Sequence, residues 1–187
     1  MIPQLMEKDH EALDEVLQRL ESSLEKHELL SSFELLDLFW ARLAVHIRAE
    51  NVRLFPAILS ACPDAFGNTL PPLKEVQSTI GRLRVDHNFF MDELSRAVKS
   101  MRELLARSES YKQPELTREL SGIREQVKAV STRLKAHNVL EEGQVYGWPG
   151  RMMNGSRLRI LEDAIKHEIK NLPPRFGEEL GRLTSVD

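Results

Sequence analysis

The residues best placed to do chemistry in this sequence are two pairs, His46 with Glu50 and His137 with Glu141. Side chains at i and i+4 leave the same face of a helix one turn apart, so each imidazole and carboxylate can grip an ion together. Two more histidines interrupt otherwise apolar stripes: His10 among Met6, Leu13 and Leu17, and His87 among Leu83, Phe90 and Leu94. A lone histidine on such a stripe is ordinarily a core residue whose ring nitrogens find hydrogen-bond partners. Several of them beside Glu50 and Glu141 are another matter. Burying a pair of ionised carboxylates costs several kcal/mol each, in a fold stable by only ~5–15 kcal/mol, unless cations compensate.

Four imidazoles and two carboxylates exceed one closed tetrahedral site, which points to a pair of ions. If both glutamates bridge, each ion receives two histidines and two carboxylate oxygens. A solvent-derived oxo or hydroxo bridge adds one donor and leaves one position open on each. Nitrogen and oxygen donors of this kind suit iron, and also manganese or zinc. Two other metal motifs do not fit. No histidine pair has the His-Glu-x-x-His spacing of the zincins. Of the Glu-x-x-His units that a ferritin-like site needs on two helices, only Glu7-x-x-His10 is present; Leu43, Arg84 and Leu134 precede the other histidines. Cys62 reads as a helix-end or loop residue rather than a nucleophile, and no catalytic residue stands out.

The elements that must position these groups are helices. Apolar residues recur every three or four positions, and alternating β-branched runs are absent, so the class is all-α. The first segment runs from about Gln4 to Leu29. The second opens with a Ser31/Glu34 capping box and carries Leu36, Phe39, Leu43, His46, Ile47, Glu50 and Leu54. After a loop marked by Pro63, Gly67, Pro71 and Pro72, the third carries Val76, Ile80, Leu83, His87, Phe90, Leu94, Met101 and Leu105. The fourth starts near Pro114 and carries Leu116 through Leu134, His137 and Glu141 to Gly143. Short connections favour antiparallel neighbours, so an up-down-up-down four-helix bundle is expected, with the histidines gathered into one layer.

A weak internal repeat supports that layer. Asp9-His10, followed by His46, Glu50 and Phe55, is echoed by Asp86-His87, followed by His137, Glu141 and Tyr146. The loops differ, with 36 residues from His10 to His46 and 50 from His87 to His137, so a roughly two-fold symmetric site is expected. Phe55 and Tyr146, five residues past each glutamate, are expected to close the bundle end over the metals. Tyr146 also carries a phenol able to reach an open metal position.

Composition sets the remaining bounds. The chain of 187 residues is long enough for one well-cored domain, expected over 1–149 with a C-terminal helical extension over 150–187. In that extension Leu158, Leu161, Ile165, Ile169 and Leu172 form an amphipathic segment, ended by Pro173 and Pro174. With 26 Lys plus Arg against 29 Asp plus Glu and no basic block, no nucleic-acid partner is expected. Met1 to Glu15 lacks the apolar stretch of a signal peptide, and no segment approaches the ~20 apolar residues of a membrane span. The single cysteine permits a reducing compartment. The chain reads as soluble and cytoplasmic.

Asp9-His10-Glu11, His46-Ile47-Arg48-Ala49-Glu50 with Leu54-Phe55-Pro56, Asp86-His87, and His137-Asn138-Val139-Leu140-Glu141-Glu142 together resemble the hemerythrin-like family, the HHE cation-binding domain, over about residues 5 to 149. The resemblance implies an antiparallel four-helix bundle with a non-haem di-iron centre. On that pattern His10 and His46 bind one iron, His87 and His137 bind the other, and Glu50 and Glu141 bridge. The family spans oxygen carriers, iron or oxygen sensors, and proteins linked to nitric oxide damage and iron-centre repair, so function stays open. This sequence lacks the cysteine-bearing N-terminal domain of the repair proteins. It has Met91 where the carriers place a second histidine, four residues after His87. The leading expectation is a di-iron protein that reacts with or senses oxygen, nitric oxide or peroxide. The alternative is a sensor or interaction module that signals through 150–187 to a protein partner or a second copy. A bundle without metal is the third.

Overall fold

The computed structural model describes residues 1–61, 71–107 and 113–172, and these are helical with short turns and no strand. Helix α1, Ile2–Glu25, has a proline in its first turn, where a missing N–H costs nothing, and buries Ile2, Met6, His10, Leu13, Leu17, Leu20 and Leu24 on one face. It ends before the expected Leu29. His27 adopts a left-handed conformation (φ 59°), its N–H donates to the Leu24 carbonyl, and the Glu28 N–H donates to Ser23. This is the Schellman arrangement, which turns the chain sharply at a helix end.

That turn also moves the start of the second helix. Helix α2, Leu29–Ala49, begins after Glu28 with no side-chain cap. The expected capping box is therefore incorrect: Ser31 and Glu34 lie inside the helix. The neighbouring Ser32 is fully buried, its hydroxyl 3.0 Å from that of Ser23.

At Ala49 the helix widens into a π turn, Glu50–Leu54, and then resumes as α3, Phe55–Ala61. Pro56 supplies the reason. In a regular α-helix its ring would clash with the carbonyl four residues back, at Val52, and leave that carbonyl without a donor. The wider turn relieves this, and the Phe55 N–H donates to the Glu50 carbonyl.

Helices α4, Leu73–Ala106, and α5, Gln113–Gly143, complete a closed ring in which α1 packs on α2, α2 on α4, α4 on α5, and α5 on α1. Contacts between Ser23 and Ser32 at one end and His10 and His46 at the other make α1 and α2 antiparallel. Arg102 with Asp37, and His87 with Glu50, do the same for α4 and α2. Beyond Gly143 come a single 3-10 turn, Val145–Gly147, then α6, Trp148–Met152, and α7, Gly155–Lys170, capped by the Asn154 side chain. The expected loop markers Pro63 and Gly67, and the terminating Pro173 and Pro174, lie outside the described residues. Among the described residues no helix is long and apolar enough to cross a membrane.

Helix α7 is tied to the π turn by charge. Glu168, almost fully buried, receives Arg53 at 2.7 and 3.0 Å and Arg48 at 3.0 Å, while Arg48 also donates to the Glu168 and Asn171 carbonyls. The hydrogen bond from Arg53, reinforced by the charges of both arginines, outweighs burial and holds the Glu168 carboxyl below its ordinary value of 4.5. A carboxyl lowered in the folded state contributes stability that is full above 4.5 and is lost as pH falls through the lowered value. Amide protection factors in α7, the exchange rates referred to the intrinsic rate at each pH, are therefore expected to be high at neutral pH and to fall on acidification below that range. Glu168→Gln should show low protection at neutral pH and little further change. A pH response identical to that of the parent chain would refute the link.

Two apolar clusters fill the ring. One gathers Leu13, Leu17, Leu36, Phe39, Leu43, Phe90, Leu94, Leu120, Val127 and Leu134; the other gathers Ile2, Met6, Leu54, Phe55, Ile80, Leu83, Tyr146, Trp148, Leu161 and Ile165. The predicted donors lie where the chain passes from one cluster to the other: His10 between Met6 and Leu13, His46 and Glu50 on either side of the change from Ile47 to Ala49, His87 between Leu83 and Phe90, and His137 and Glu141 between Leu134 and Val145.

Candidate metal centre

The six predicted donors converge in the layer between the clusters. His10, His46, His87 and His137 are 2–4% exposed, and Glu50 and Glu141 are 0% exposed. The other histidines, His27 and His167, are at the surface. Nε2 of His10 lies 3.1 Å from Nε2 of His46, and Nε2 of His87 lies 3.2 Å from Nε2 of His137. The carboxylates connect the two imidazole pairs. Glu50 sets Oε1 3.5 Å from His46 and Oε2 3.2 Å from His87. Glu141 sets Oε2 3.5 Å from His10 and Oε1 3.1 Å from His137. Two groups result in which every donor atom lies within 4.8 Å of the others: Glu50, His87, His137 and Glu141, and His10, His46 and Glu141.

The repeat in the sequence becomes an approximate two-fold axis, and it exposes positions that sequence reasoning had given no role. Asp9 accepts from Nδ1 of His46 at 2.8 Å, and Asp86 faces Nδ1 of His137 at 3.2 Å. Each aspartate precedes one histidine of its pair and holds the other. Arg42 lies 3.4 Å from Asp9, and Arg133 donates to Asp86 at 2.7 Å. The signal was present as Arg42-x-x-x-His46-x-x-x-Glu50 and Arg133-x-x-x-His137-x-x-x-Glu141. Partners of this kind fix the ring orientation and tautomer of a metal-binding histidine. Replacing Asp9 or Asp86 by alanine is accordingly expected to weaken metal affinity about 10–100-fold while leaving the helical content intact. Titration against a competing chelator measures this, and unchanged affinity in both variants would contradict it.

The symmetry fails in two places. Nδ1 of His10 is held by Glu142 at 2.7 Å, whereas Nδ1 of His87 is buried without a hydrogen-bond partner. Phe55 stacks on His87, ring centroids 5.8 Å apart and planes 5° from parallel. Tyr146, its counterpart in the repeat, instead turns its hydroxyl into the donor layer, 2.7 Å from Glu50 Oε1, 3.0 Å from Glu141 Oε2, 3.0 Å from His10 and 3.4 Å from His46. Both rings are fully buried. They share their apolar cluster with Trp148, Leu161 and Ile165 of α6 and α7. A cavity of about 140 Å³ lies beside Asp9, lined also by Leu38, Arg42, Val45, Ile169 and Leu172.

The protein's own charges are strongly interdependent here. Burial alone would lower the His46 imidazole, but the Glu50 charge and the Asp9 hydrogen bond overcome it and raise the value to about 10. Burial likewise opposes ionisation of Glu50, yet the charge of His46, and the His46 and His87 imidazoles that face it, hold it well below the ordinary carboxylate range. Burial, then the charges of Glu141 and Glu50, push the Tyr146 phenol well above its ordinary value.

The residues present fit a pair of cations. Glu50 Oε2 and Glu141 Oε1 are fully buried yet make no hydrogen bond, although each faces an imidazole. A buried anionic oxygen left so is costly, and a bound cation removes the cost. All donors are nitrogen or oxygen, as iron, manganese and zinc accept. A family model for the hemerythrin HHE cation-binding domain matches residues 1–148. No curated protein and no solved structure matches the chain.

Proposed function

The chain belongs to the hemerythrin HHE cation-binding family, and from that premise we propose that it is a cytoplasmic non-haem di-iron protein that reacts with or senses oxygen, nitric oxide or peroxide. The observation that carries this reading is the convergence of His10, His46, Glu50, His87, His137 and Glu141 in one buried layer, with a carboxylate oxygen of each glutamate toward each imidazole pair. His10 and His46 would hold one iron, His87 and His137 the other, and Glu50 and Glu141 would bridge them. Residues 1–149 act as an up-down-up-down four-helix unit, and 150–187 as its extension.

When bound, the irons supply exchangeable coordination positions and electrons for a small ligand. The surrounding residues do the rest. Asp9 and Asp86 orient His46 and His137 through Nδ1 so that Nε2 faces inward. Phe55, Leu54, Leu83 and Ile165 exclude bulk water from one side and Phe90 from the other, edge-on to His137 at 5.2 Å. Met91, at the carriers' histidine position, packs on the apolar core, and its thioether is a soft, weak partner for iron. The chain should therefore not carry oxygen reversibly. The test is metal analysis of the purified protein, with spectra before and after oxygen, nitric oxide and peroxide. Absence of bound metal after anaerobic iron reconstitution, or full recovery of the starting spectrum on repeated evacuation of oxygen, would overturn the respective parts.

One observation favours a second reading, in which metal occupancy is reported through the extension. Arg48 and Arg53 flank Glu50 on either side, and both grip Glu168 of α7. Comparing the full chain with a form ending at Gly150 for partner binding, with and without metal, separates the two.

A further inference from the structure

We propose that Tyr146 is a seventh protein ligand, bound through its phenolate oxygen to the ion held by His10 and His46, so that the two ions of the centre are chemically unlike. The inference rests on the metal-binding reading above and adds to it a ligand and an asymmetry.

The distances describe a coordination shell. Metal–nitrogen and metal–oxygen bonds of ~2.0–2.2 Å at right angles put neighbouring donors about 3 Å apart. Around this half of the site His10 and His46 are 3.1 Å apart, His46 and Glu50 Oε1 3.5 Å, and His10 and Glu141 Oε2 3.5 Å. The Tyr146 oxygen stands 2.7–3.4 Å from all four of these atoms. The hydroxyl thus lies within donor-to-donor distance of every other atom that would hold this ion.

A phenol acting only as a hydrogen-bond donor accounts for this less well. It has one proton, and two carboxylate oxygens of different glutamates approach it at 2.7 and 3.0 Å. One of them must face the phenol oxygen without a proton between, a repulsive contact that a shared cation turns attractive. Ligation breaks the O–H bond and forms an oxygen–metal bond. The proton leaves to solvent, and no electron changes hands.

Among the described residues nothing equivalent serves the other half. Its aromatic is Phe55, without a donor atom, and the carboxylate oxygens lacking a hydrogen bond, Glu50 Oε2 and Glu141 Oε1, both lie on the side of His87 and His137. His10 is further supported by the Glu142 carboxylate, while Nδ1 of His87 has no partner. More anionic charge therefore surrounds the His10/His46 ion, which suits the higher oxidation state. The His87/His137 ion keeps the exchangeable position for a small ligand.

Resonance Raman spectroscopy of the oxidised, iron-loaded chain tests the assignment. A visible phenolate-to-iron transition is expected, with ring vibrations that shift when the protein is made with ring-deuterated tyrosine. The transition should be lost in Tyr146→Phe, with iron content still near two per chain. It should persist in Tyr111→Phe, which replaces the other tyrosine of the sequence. The wild-type spectrum alone decides whether any tyrosine is bound, and Tyr111→Phe assigns it should Tyr146→Phe fold poorly. An iron-loaded chain without the transition, or a Tyr146→Phe variant that keeps it, would overturn the ligand while leaving the metal centre standing. A chain that takes up no iron would overturn both.

Discussion

Glu141→Ala should leave the protein with less than half its metal, while His27→Ala retains all of it. Glu141 offers one oxygen to each half of the site, Oε2 near His10 and Oε1 near His137. Its loss would remove a donor from both of the proposed ions at once. The effect should exceed the ~10–100-fold loss of affinity typical of a residue acting through a ligand. His27 is also a histidine at a helix end, but it is exposed and occupies the left-handed turn after α1. Its replacement touches no donor. Metal content after equilibrium dialysis distinguishes the variants, with circular dichroism to verify that each is helical. Equal loss in both would mean that the layer is wrongly assigned.

Stripping the metal is expected to destabilise the parent chain strongly and a Glu50→Gln/Glu141→Gln double variant hardly at all. An ion that binds only the folded state stabilises it by about 4 kcal/mol at a free concentration a thousandfold above its dissociation constant. For a chain of this size each kcal/mol moves the melting temperature by ~2–4 °C, so a fall on the order of 10 °C is expected on chelation. The double variant removes both buried charges, and with them the need for a counter-ion at 0% exposure. It should also melt above the stripped parent, an inversion that arises only if charge burial makes the ions necessary. Calorimetry with and without chelator reads both effects. A stripped parent that melts where the loaded one does would refute the argument.

What could be read from the sequence was what helix periodicity determines locally. Three or four residues per turn place His46 with Glu50 and His137 with Glu141 on buried faces, and place His10 and His87 among apolar residues that must turn inward. The donors and the helical class follow from that period without reference to any other part of the chain. The family match to residues 1–148 agrees with the resemblance those stretches carry.

Tertiary structure decided everything that depended on how one helix meets another or on a break in the period. The capping box was plausible by spacing, but the turn at His27 starts α2 earlier. Asp9 and Asp86 acquired a role only when a second helix brought His46 and His137 to them. The two aromatics show the limit most clearly. A residue five places beyond a glutamate on an α-helix lies about 140° around the axis, away from the glutamate's face. Phe55 returns to that face because the π turn stacks it over Glu50, and Tyr146 returns because the chain leaves the helix at Gly143 and curls through a 3-10 turn. The same sequence interval thus produced a ring stacked on His87 in one half and a hydroxyl among the donors in the other. Periodicity specifies a face only while the helix stays regular, and at this site it does not.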